Sequence, residues 1–208
     1  MKRFRDIAAV ALCAAVFAAV LLYAPNLRTE PLASFAVKID MPEGHGSGSH
    51  IGNGFILTAA HVVDGRKPKI ITDNGLERDA EILWLNKEYD VALLRIRDYG
   101  GIGAVPLACS NLPVGTVYSA YGNPGAIDFV HSDGEVVGPA VKRGPWLSVA
   151  TLDGTVVMGM SGGAIVSRNR VVGVAVGVQV VTAGIFPAIT GFGFAVPGRV
   201  VCDLMGRA

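Results

Sequence analysis

From residue 35 onward, apolar positions come in short runs that are separated by glycine and polar turn residues. Runs of this length, rich in β-branched and aromatic residues, predict strands. The predicted strands are residues 35–39, 54–58, 69–72, 80–86, 91–96, 117–121, 134–141, 146–151, 164–167, 170–180 and 193–196. Many short strands in a chain with 27 glycines indicate an all-β barrel or sandwich. A short terminal helix is predicted for residues 197–205, where a proline stands at the start.

The first 24 residues follow a different pattern. Lys2, Arg3 and Arg5 precede an apolar run over residues 7–24, which is near the lower limit of about 17 residues for crossing a bilayer as a helix. An uncleaved membrane anchor is the first interpretation, and a cleaved signal peptide followed by secretion is the alternative. In both cases the positive residues stay cytoplasmic, so the rest of the chain is expected outside the cytoplasm, in a periplasm-like compartment.

Length and charge restrict the function further. Residues 25–34 form a polar, proline-bearing linker, and the remainder of the 208 residues suffices for one domain, residues 35–208. The formal net charge is +1, so nothing in the overall balance points to nucleic acid or a polyanionic substrate.

Neither cysteine nor histidine spacing predicts a metal site. Cys109 and Cys202 are too far apart for a zinc knuckle or a redox pair, and whether they form a disulfide or remain two buried thiols is left open. His45 and His50 precede His61 at intervals that match no common zinc pattern, and the surrounding glycines suggest a mobile loop. No metal and no other cofactor is expected.

Three separate motifs carry candidate chemistry. His61 follows an apolar strand that ends in two alanines, and Asp90 directly precedes an apolar strand. Ser161 lies in the glycine-dense sequence Gly-Met-Ser-Gly-Gly, whose backbone can point successive N–H groups in one direction. Taken alone, the histidine and the aspartate are more often structural, but together the three form the set that nucleophilic acyl transfer needs.

In this order along the chain, the three motifs resemble those of the trypsin-like serine proteases. The match is similar to the bacterial HtrA/Deg branch in particular, through Gly-Ser-Gly at residues 46–48, Tyr-Gly-Asn-Pro-Gly at 121–125, Ser-Asp-Gly-Glu-Val-Val at 132–137 and Gly-Phe-Ala-Val-Pro at 193–197. Met158, Met160 and Ala164 depart from that branch's pattern around the nucleophile. The chain ends soon after the predicted helix, so no peptide-binding PDZ module is expected.

The resemblance implies a double barrel of two six-stranded antiparallel sheets, the first over about residues 35–108 and the second over about 114–200. It implies a serine endopeptidase with Ser161 as nucleophile, His61 as general base and Asp90 as the carboxylate that orients it. The oxyanion loop would be Gly159, Met160 and Ser161, with the N–H groups of the first and third as donors.

Position relative to the nucleophile predicts the wall of the primary substrate pocket. Its expected members are Thr155, Val156, Val174, Ala175 and Val176. None is acidic, so an apolar P1 residue of small to medium size is predicted. The expected partners are polypeptide substrates, the membrane through residues 7–24 and, by analogy with HtrA relatives, a possible homo-oligomer. A catalytically inactive binding or scaffold module is the alternative function.

Overall fold

The computed structural model describes residues 35–63, 67–183 and 186–206. This part of the chain forms thirteen strands and two short helices. The strands are β1 Ala36–Met41, β2 Gly44–Gly52, β3 Phe55–Thr58, β4 Lys69–Ile71, β5 Glu77–Asp79, β6 Glu81–Asn86, β7 Val91–Arg95, β8 Val117–Gly122, β9 Val130–Arg143, β10 Trp146–Asp153, β11 Ala164–Ser167, β12 Arg170–Ala183 and β13 Phe186–Pro197. The helices are α1 Ala60–Val63 and α2 Gly198–Met205.

The first seven strands form one antiparallel sheet in the order β5-β4-β1-β2-β3-β7-β6. Its two edge strands are separated along the chain by Ala80 alone, so the sheet curls round until its edges meet there. Ala80 is buried, and its N–H donates to the Pro68 carbonyl at 3.0 Å. The resemblance implies six strands for this barrel and the structure has seven, so that count is wrong by one. The sequence pattern predicted five of the seven and missed β2 and β5. Strand β5 was missed because its three residues are all charged and carry no apolar alternation.

The glycine-rich residues 44–52 form strand β2, in the middle of this sheet, so the prediction of a mobile loop is wrong. The glycine-rich composition suggested a mobile loop, but in this strand glycine allows close packing. A Cβ on Gly48 would lie only 3.0–3.1 Å from the side chains of Val37, Ile39 and Ile56. Glycine thus lets apolar side chains of the neighbouring strands close over β2.

The last six strands form a closed antiparallel barrel in the order β10-β13-β12-β11-β8-β9. This strand count agrees with the prediction, although β9, β12 and β13 are longer than their predicted segments. The added length of β13 lies at residues 186–192, where proline and glycine obscure the strand pattern. The predicted all-β double barrel with a short C-terminal helix is thus confirmed in outline.

Three apolar clusters form the core of the described residues. One lies within the first sheet and one within the second. The third draws side chains from both, including Leu57 and Leu93 from the first sheet and Val149 and Val174 from the second. Because full burial of such a side chain is worth about 2 kcal/mol, this shared cluster holds the two barrels together and so fixes the cleft between them.

A disulfide joins Cys109 to Cys202 across a separation of 93 residues, which settles the question that the sequence left open. Cys109 lies in the connection between the two sheets, and Cys202 lies in α2. Backbone hydrogen bonds secure both flanks, since the N–H of Ala108 donates to Val171 at 2.8 Å and that of Arg199 donates to Ser110 at 2.9 Å.

The predicted membrane segment, residues 7–24, and the linker, residues 25–34, lie outside the described residues. Within residues 35–63, 67–183 and 186–206, no helix has the length and apolar character needed to cross a membrane.

Candidate active site

His61 and Asp90 form a hydrogen-bonded pair on the first sheet. His61 lies in α1 just after β3, and Asp90 immediately precedes β7, which pairs with β3 through Thr58 and Ala92. The Nδ1–H of His61 donates to Asp90 Oδ2 at 2.6 Å, and the His61 backbone N–H donates to Oδ1 at 2.9 Å. A carboxylate can only accept, so this bond places the proton of a neutral imidazole on Nδ1 and leaves Nε2 as a base.

Asp90 is held by three donors in a nearly closed environment. It is 6% exposed and adopts a left-handed backbone conformation, with φ at 57°. The third donor is the indole N–H of Trp146, at 3.0 Å from Oδ2. Burial raises the pKa of the Asp90 carboxyl, but the hydrogen bonds and charge of His61, together with the Trp146 N–H, outweigh burial and set the pKa below its ordinary value of 3.8. The group is therefore ionised at neutral pH.

Ser161 lies in a loop whose shape only glycine permits. Gly159 and Gly162 have φ values of 95° and 85°, in the left-handed region. A Cβ on Gly162 would collide with Thr58 Oγ1, and one on Gly159 would collide with the Asn123 carbonyl. The glycine-dense sequence around the serine therefore serves both conformation and close approach to the first sheet.

The N–H groups of Gly159 and Ser161 are oriented by the carbonyls of the residues before them. The carbonyl before Gly159 accepts from the Gly125 N–H at 3.2 Å, and the one before Ser161 accepts from the Gly163 N–H at 2.9 Å. The C=O and N–H of a trans peptide point in opposite directions, so both N–H groups point away from these contacts. No backbone carbonyl of the described residues accepts from either one. Met160 differs, because its own N–H donates within the turn.

Ser47 of strand β2 connects this loop to the first sheet. Its N–H donates to the Ser161 carbonyl at 2.8 Å, and its hydroxyl donates to the Gly159 carbonyl at 2.7 Å. The same hydroxyl oxygen accepts the Asn123 N–H at 2.8 Å, and the Asn123 side-chain amide reaches the Val37 carbonyl at 3.1 Å. Ser47 and Asn123 are fully buried, so their hydrogen bonds form in a low dielectric, where they are strong.

His61 and Ser161 line one cavity of about 390 Å³ between the barrels. Gly159, Met158 and His45 also contribute to its wall. His61 therefore connects the three residues predicted to be catalytic, because it contacts Asp90 and shares a cavity with Ser161. Their catalytic roles remain predictions.

The five residues predicted to wall the primary pocket occupy different environments. Val176 lines a second cavity, of about 530 Å³, together with His61 and Asp90. The other four are not part of the described lining of either cavity beside His61. Val156 and Ala175 are buried in the core of the second barrel, Val174 is buried in the cluster between the barrels, and Thr155 is exposed. Their role in binding stays a prediction.

The residue that sequence analysis missed is Trp146. Its indole contacts Asp90 from a strand of the other barrel, 56 residues away. The only local signal was its place directly after a glycine-proline turn, as one of two tryptophans in the chain, and such a signal predicts a strand start rather than a contact to a carboxylate.

His45 and His50 are held by hydrogen bonds to the backbone, and His131 stacks on Tyr121. His50 Nε2 accepts the Gly54 N–H at 3.0 Å, so its Nδ1–H donates to the Gly103 carbonyl at 2.7 Å. His45 Nε2 lies 2.9 Å from the Asn123 carbonyl. The described part of the chain has no group of three His, Cys, Asp or Glu side chains arranged to hold a metal ion.

Comparisons with known proteins agree with this geometry. The model of the trypsin-like peptidase domain family matches residues 46–174. HhoA of Synechocystis sp. is 32% identical over 74% of this chain and 40% of its own length. DegQ of Escherichia coli, a periplasmic pH-dependent serine endoprotease, is 29% identical over 78% of this chain and 36% of its own length. The chain thus spans less than half the length of these relatives. The predicted resemblance to the HtrA/Deg branch is confirmed.

Solved structures share the fold. An inactive form of Rv3671c from Mycobacterium tuberculosis superposes with a TM-score of 0.69 at 22% identity, over 88% of this chain and 90% of that one. The HtrA-type protease AlgW, crystallised with a decapeptide, superposes with a TM-score of 0.71 at 20% identity, over 85% of this chain and 65% of that one. Both similarities support the double-barrel architecture.

Proposed function

This chain belongs to the trypsin-like peptidase domain family, and on that premise we propose that it is a serine endopeptidase that hydrolyses peptide bonds through an acyl-enzyme. The observation that carries the proposal is the shared cavity of His61 and Ser161, together with the short hydrogen bond that ties His61 to Asp90. Relatives such as DegQ are serine endoproteases, which supports the same activity here.

In the proposed mechanism, Ser161 Oγ attacks the carbonyl carbon of the scissile bond while His61 Nε2 accepts the hydroxyl proton. The carbonyl oxygen becomes negatively charged and accepts hydrogen bonds from the N–H groups of Gly159 and Ser161. Loss of one such donor typically raises the barrier by about 3 kcal/mol.

Collapse of the tetrahedral intermediate then breaks the C–N bond. His61 donates its proton to the leaving amine, which leaves an ester on Ser161. Water then attacks the ester carbon while His61 Nε2 accepts its proton. The bond between the carbon and Ser161 Oγ breaks, His61 returns the proton to Oγ, and the new carboxyl end is released. Asp90 keeps the imidazole in one orientation and stabilises its charged form throughout.

For specificity we propose an apolar P1 residue of small to medium size. The five predicted wall residues include no acidic side chain. Val156 among them packs in the apolar cluster of the second barrel beside Gly193, where an added Cβ would lie only 2.8 Å from Val156 Cβ. Val178 is partly buried against the same apolar cluster. Cleavage of a peptide library should occur after alanine, valine or similar residues, and preferential cleavage after lysine or arginine would refute this proposal.

The proposed location is outside the cytoplasm, with residues 7–24 as a membrane tether. The basic cluster before that run and the periplasmic location of DegQ support it, and so does the disulfide, which persists in oxidising compartments. Release of the protein from membranes by salt or carbonate washing would contradict a tether. Homo-oligomer formation stays a prediction, which light scattering of the purified protein tests.

Labelling with a fluorophosphonate tests the nucleophile. We expect Ser161 to be modified in the wild type and no label in Ser161→Ala. A Ser167→Ala variant is the matched control, because that hydroxyl donates to the Val117 carbonyl in the same barrel and should leave labelling unchanged. A folded wild type that takes no label would favour the inactive binding or scaffold module.

A further inference from the structure

Trp146 supplies a hydrogen bond to Asp90 that no feature of the sequence motifs provides. Asp90 Oδ2 accepts from His61 Nδ1 at 2.6 Å and from Trp146 Nε1 at 3.0 Å, while Oδ1 accepts from the His61 backbone N–H at 2.9 Å. An indole N–H can only donate, so its partner is necessarily an acceptor. A buried carboxylate needs such donors, and this one comes from the opposite barrel.

The indole is held in place from two directions. Leu147, the next residue, donates its N–H to the Glu88 carbonyl at 3.0 Å, which fixes the start of β10 against the segment that leads to Asp90. On the other side the ring lies over Gly177, where a Cβ would be only 2.7 Å from the ring edge. Because residue 177 is glycine, the indole ring has the space that it occupies.

Trp146 also borders the cavity of about 530 Å³ beside His61. Pro145, Val176 and Ala60 complete an apolar wall, and Lys87 also contributes. An apolar side chain is the chemistry that fits such a wall, because aromatic and aliphatic surfaces gain by excluding water from each other.

We infer that Trp146 is a positioning residue of the proposed peptidase, whose N–H fixes Asp90 while its ring forms one wall of a subsite for an apolar side chain of the polypeptide substrate. This inference rests on the proposed function. It assigns two separable roles to one side chain, and the two can be removed one at a time.

Trp146→Phe keeps an apolar ring and removes the donor. We expect kcat to fall about tenfold, since a hydrogen bond to a charged group is lost, while KM for a peptide with an apolar residue at the subsite stays within about twofold. The acid decline in the free energy of unfolding should be smaller and should end at a higher pH than in the wild type, because a carboxylate with one donor fewer is more easily protonated. Trp84→Phe, the same change at the other tryptophan, should alter neither parameter.

Trp146→Ala removes the wall as well as the donor. It should lower kcat as Trp146→Phe does and in addition raise KM several-fold for apolar peptides. Gly177→Ala offers a route that leaves Trp146 in the chain, because the new methyl group displaces the ring edge. It should reproduce the pH shift of Trp146→Phe. An unchanged pH profile in both Trp146→Phe and Gly177→Ala would overturn the positioning role.

A proton–nitrogen correlation spectrum of the indole groups tests the contact whether or not the protein is active. The Trp84→Phe variant assigns the remaining indole signal to Trp146. We expect that signal to shift when Asp90 is replaced by asparagine and again when the Asp90 carboxyl is protonated in acid. A Trp146 signal that ignores both changes overturns the inference. Failure of Ser161 to take the fluorophosphonate label would instead overturn the peptidase proposal and leave the spectroscopic result standing.

Discussion

The two barrels contribute to the candidate site by different means. The first supplies the side chains His61 and Asp90, which are held by hydrogen bonds between side chains and the nearby backbone. The second supplies the indole of Trp146 and, mainly, a stretch of backbone, residues 158–163, whose shape depends on left-handed glycines and on main-chain hydrogen bonds. Ser47, from the first sheet, connects the two.

This difference predicts how each half responds to substitution. Substitution of His61 or Asp90 can abolish activity while the fold stays intact, because these two side chains contribute little to the apolar core. The glycine loop has no such tolerance. A Cβ added to any of its three glycines would collide with backbone atoms, which would then have to move. Changes in the first half should therefore separate activity from stability, and changes in the second half should affect both.

The largest expected effect is on activity, in Asp90→Asn. An amide has one accepting oxygen where the carboxylate has two, so its NH2 group must face one of the N–H donors that Asp90 accepts. The imidazole then loses its orientation, and kcat should fall by about 10⁴-fold, with unchanged circular dichroism. Asp73→Asn, an exposed aspartate of the first barrel, is the control and should retain full activity. If Asp90→Asn keeps activity within tenfold of the wild type, the side-chain half of the comparison is wrong.

The Asp90→Asn variant should also change how the free energy of unfolding depends on pH in acid. Because the pKa of Asp90 is below 3.8 in the folded protein, its stabilising contribution is fully present above that pH and is lost as the pH falls through the folded pKa. Asp90→Asn should lack this part of the acid decline in the free energy of unfolding, as measured by urea titration at several pH values.

Next comes Gly162→Ala, which tests the backbone half. Left-handed strain and the collision with Thr58 should together lower the free energy of unfolding by about 4 kcal/mol and abolish labelling of Ser161. Gly115→Ala is closely matched, since its φ is 86° against 85° for Gly162 but nothing lies within 4 Å of its added Cβ. It should cost only about 1 kcal/mol. Equal decreases in the free energy of unfolding in the two variants would show that close packing around Gly162 does not contribute to stability.

The Cys109→Ser, Cys202→Ser double variant tests a feature that lies outside both halves. Removal of the disulfide should lower the free energy of unfolding by about 3 kcal/mol, because it increases the conformational entropy of the unfolded chain. Fluorophosphonate labelling below the new melting temperature should be unchanged. A loss of labelling in the folded variant would mean that the helix end controls the site.

The smallest expected effect is in Ser47→Ala, which removes the hydroxyl bonds between the halves and keeps the backbone bond to Ser161. The Asn123 N–H and the Gly159 carbonyl both lose a buried partner, at a cost of about 2 kcal/mol in the free energy of unfolding, and kcat should fall about tenfold as the oxyanion loop loosens. Ser49→Ala is the control two residues along β2. Its hydroxyl is buried without a hydrogen-bond partner among the described residues, so its removal should leave stability the same or higher.

The features that the sequence predicted correctly are those encoded by a few neighbouring residues. The strand before His61, the strand after Asp90 and the glycines around Ser161 are patterns of a few residues each, and the structure has them where they were expected. Strand β2 was missed because its glycines are explained only by the side chains of neighbouring strands that cover them. The contact of Trp146 and the pairing of the cysteines join residues 56 and 93 positions apart, and no local pattern encodes such a distance.

The Cys109–Cys202 bond also turns the second barrel into a ring. All six strands from β8 to β13 lie between its two sulfur atoms. A protease that cuts one hairpin of that barrel leaves two pieces that remain covalently joined. Such a nicked molecule keeps its mass on a non-reducing gel and separates only after reduction, so the two pieces stay within one molecule and are not released as fragments.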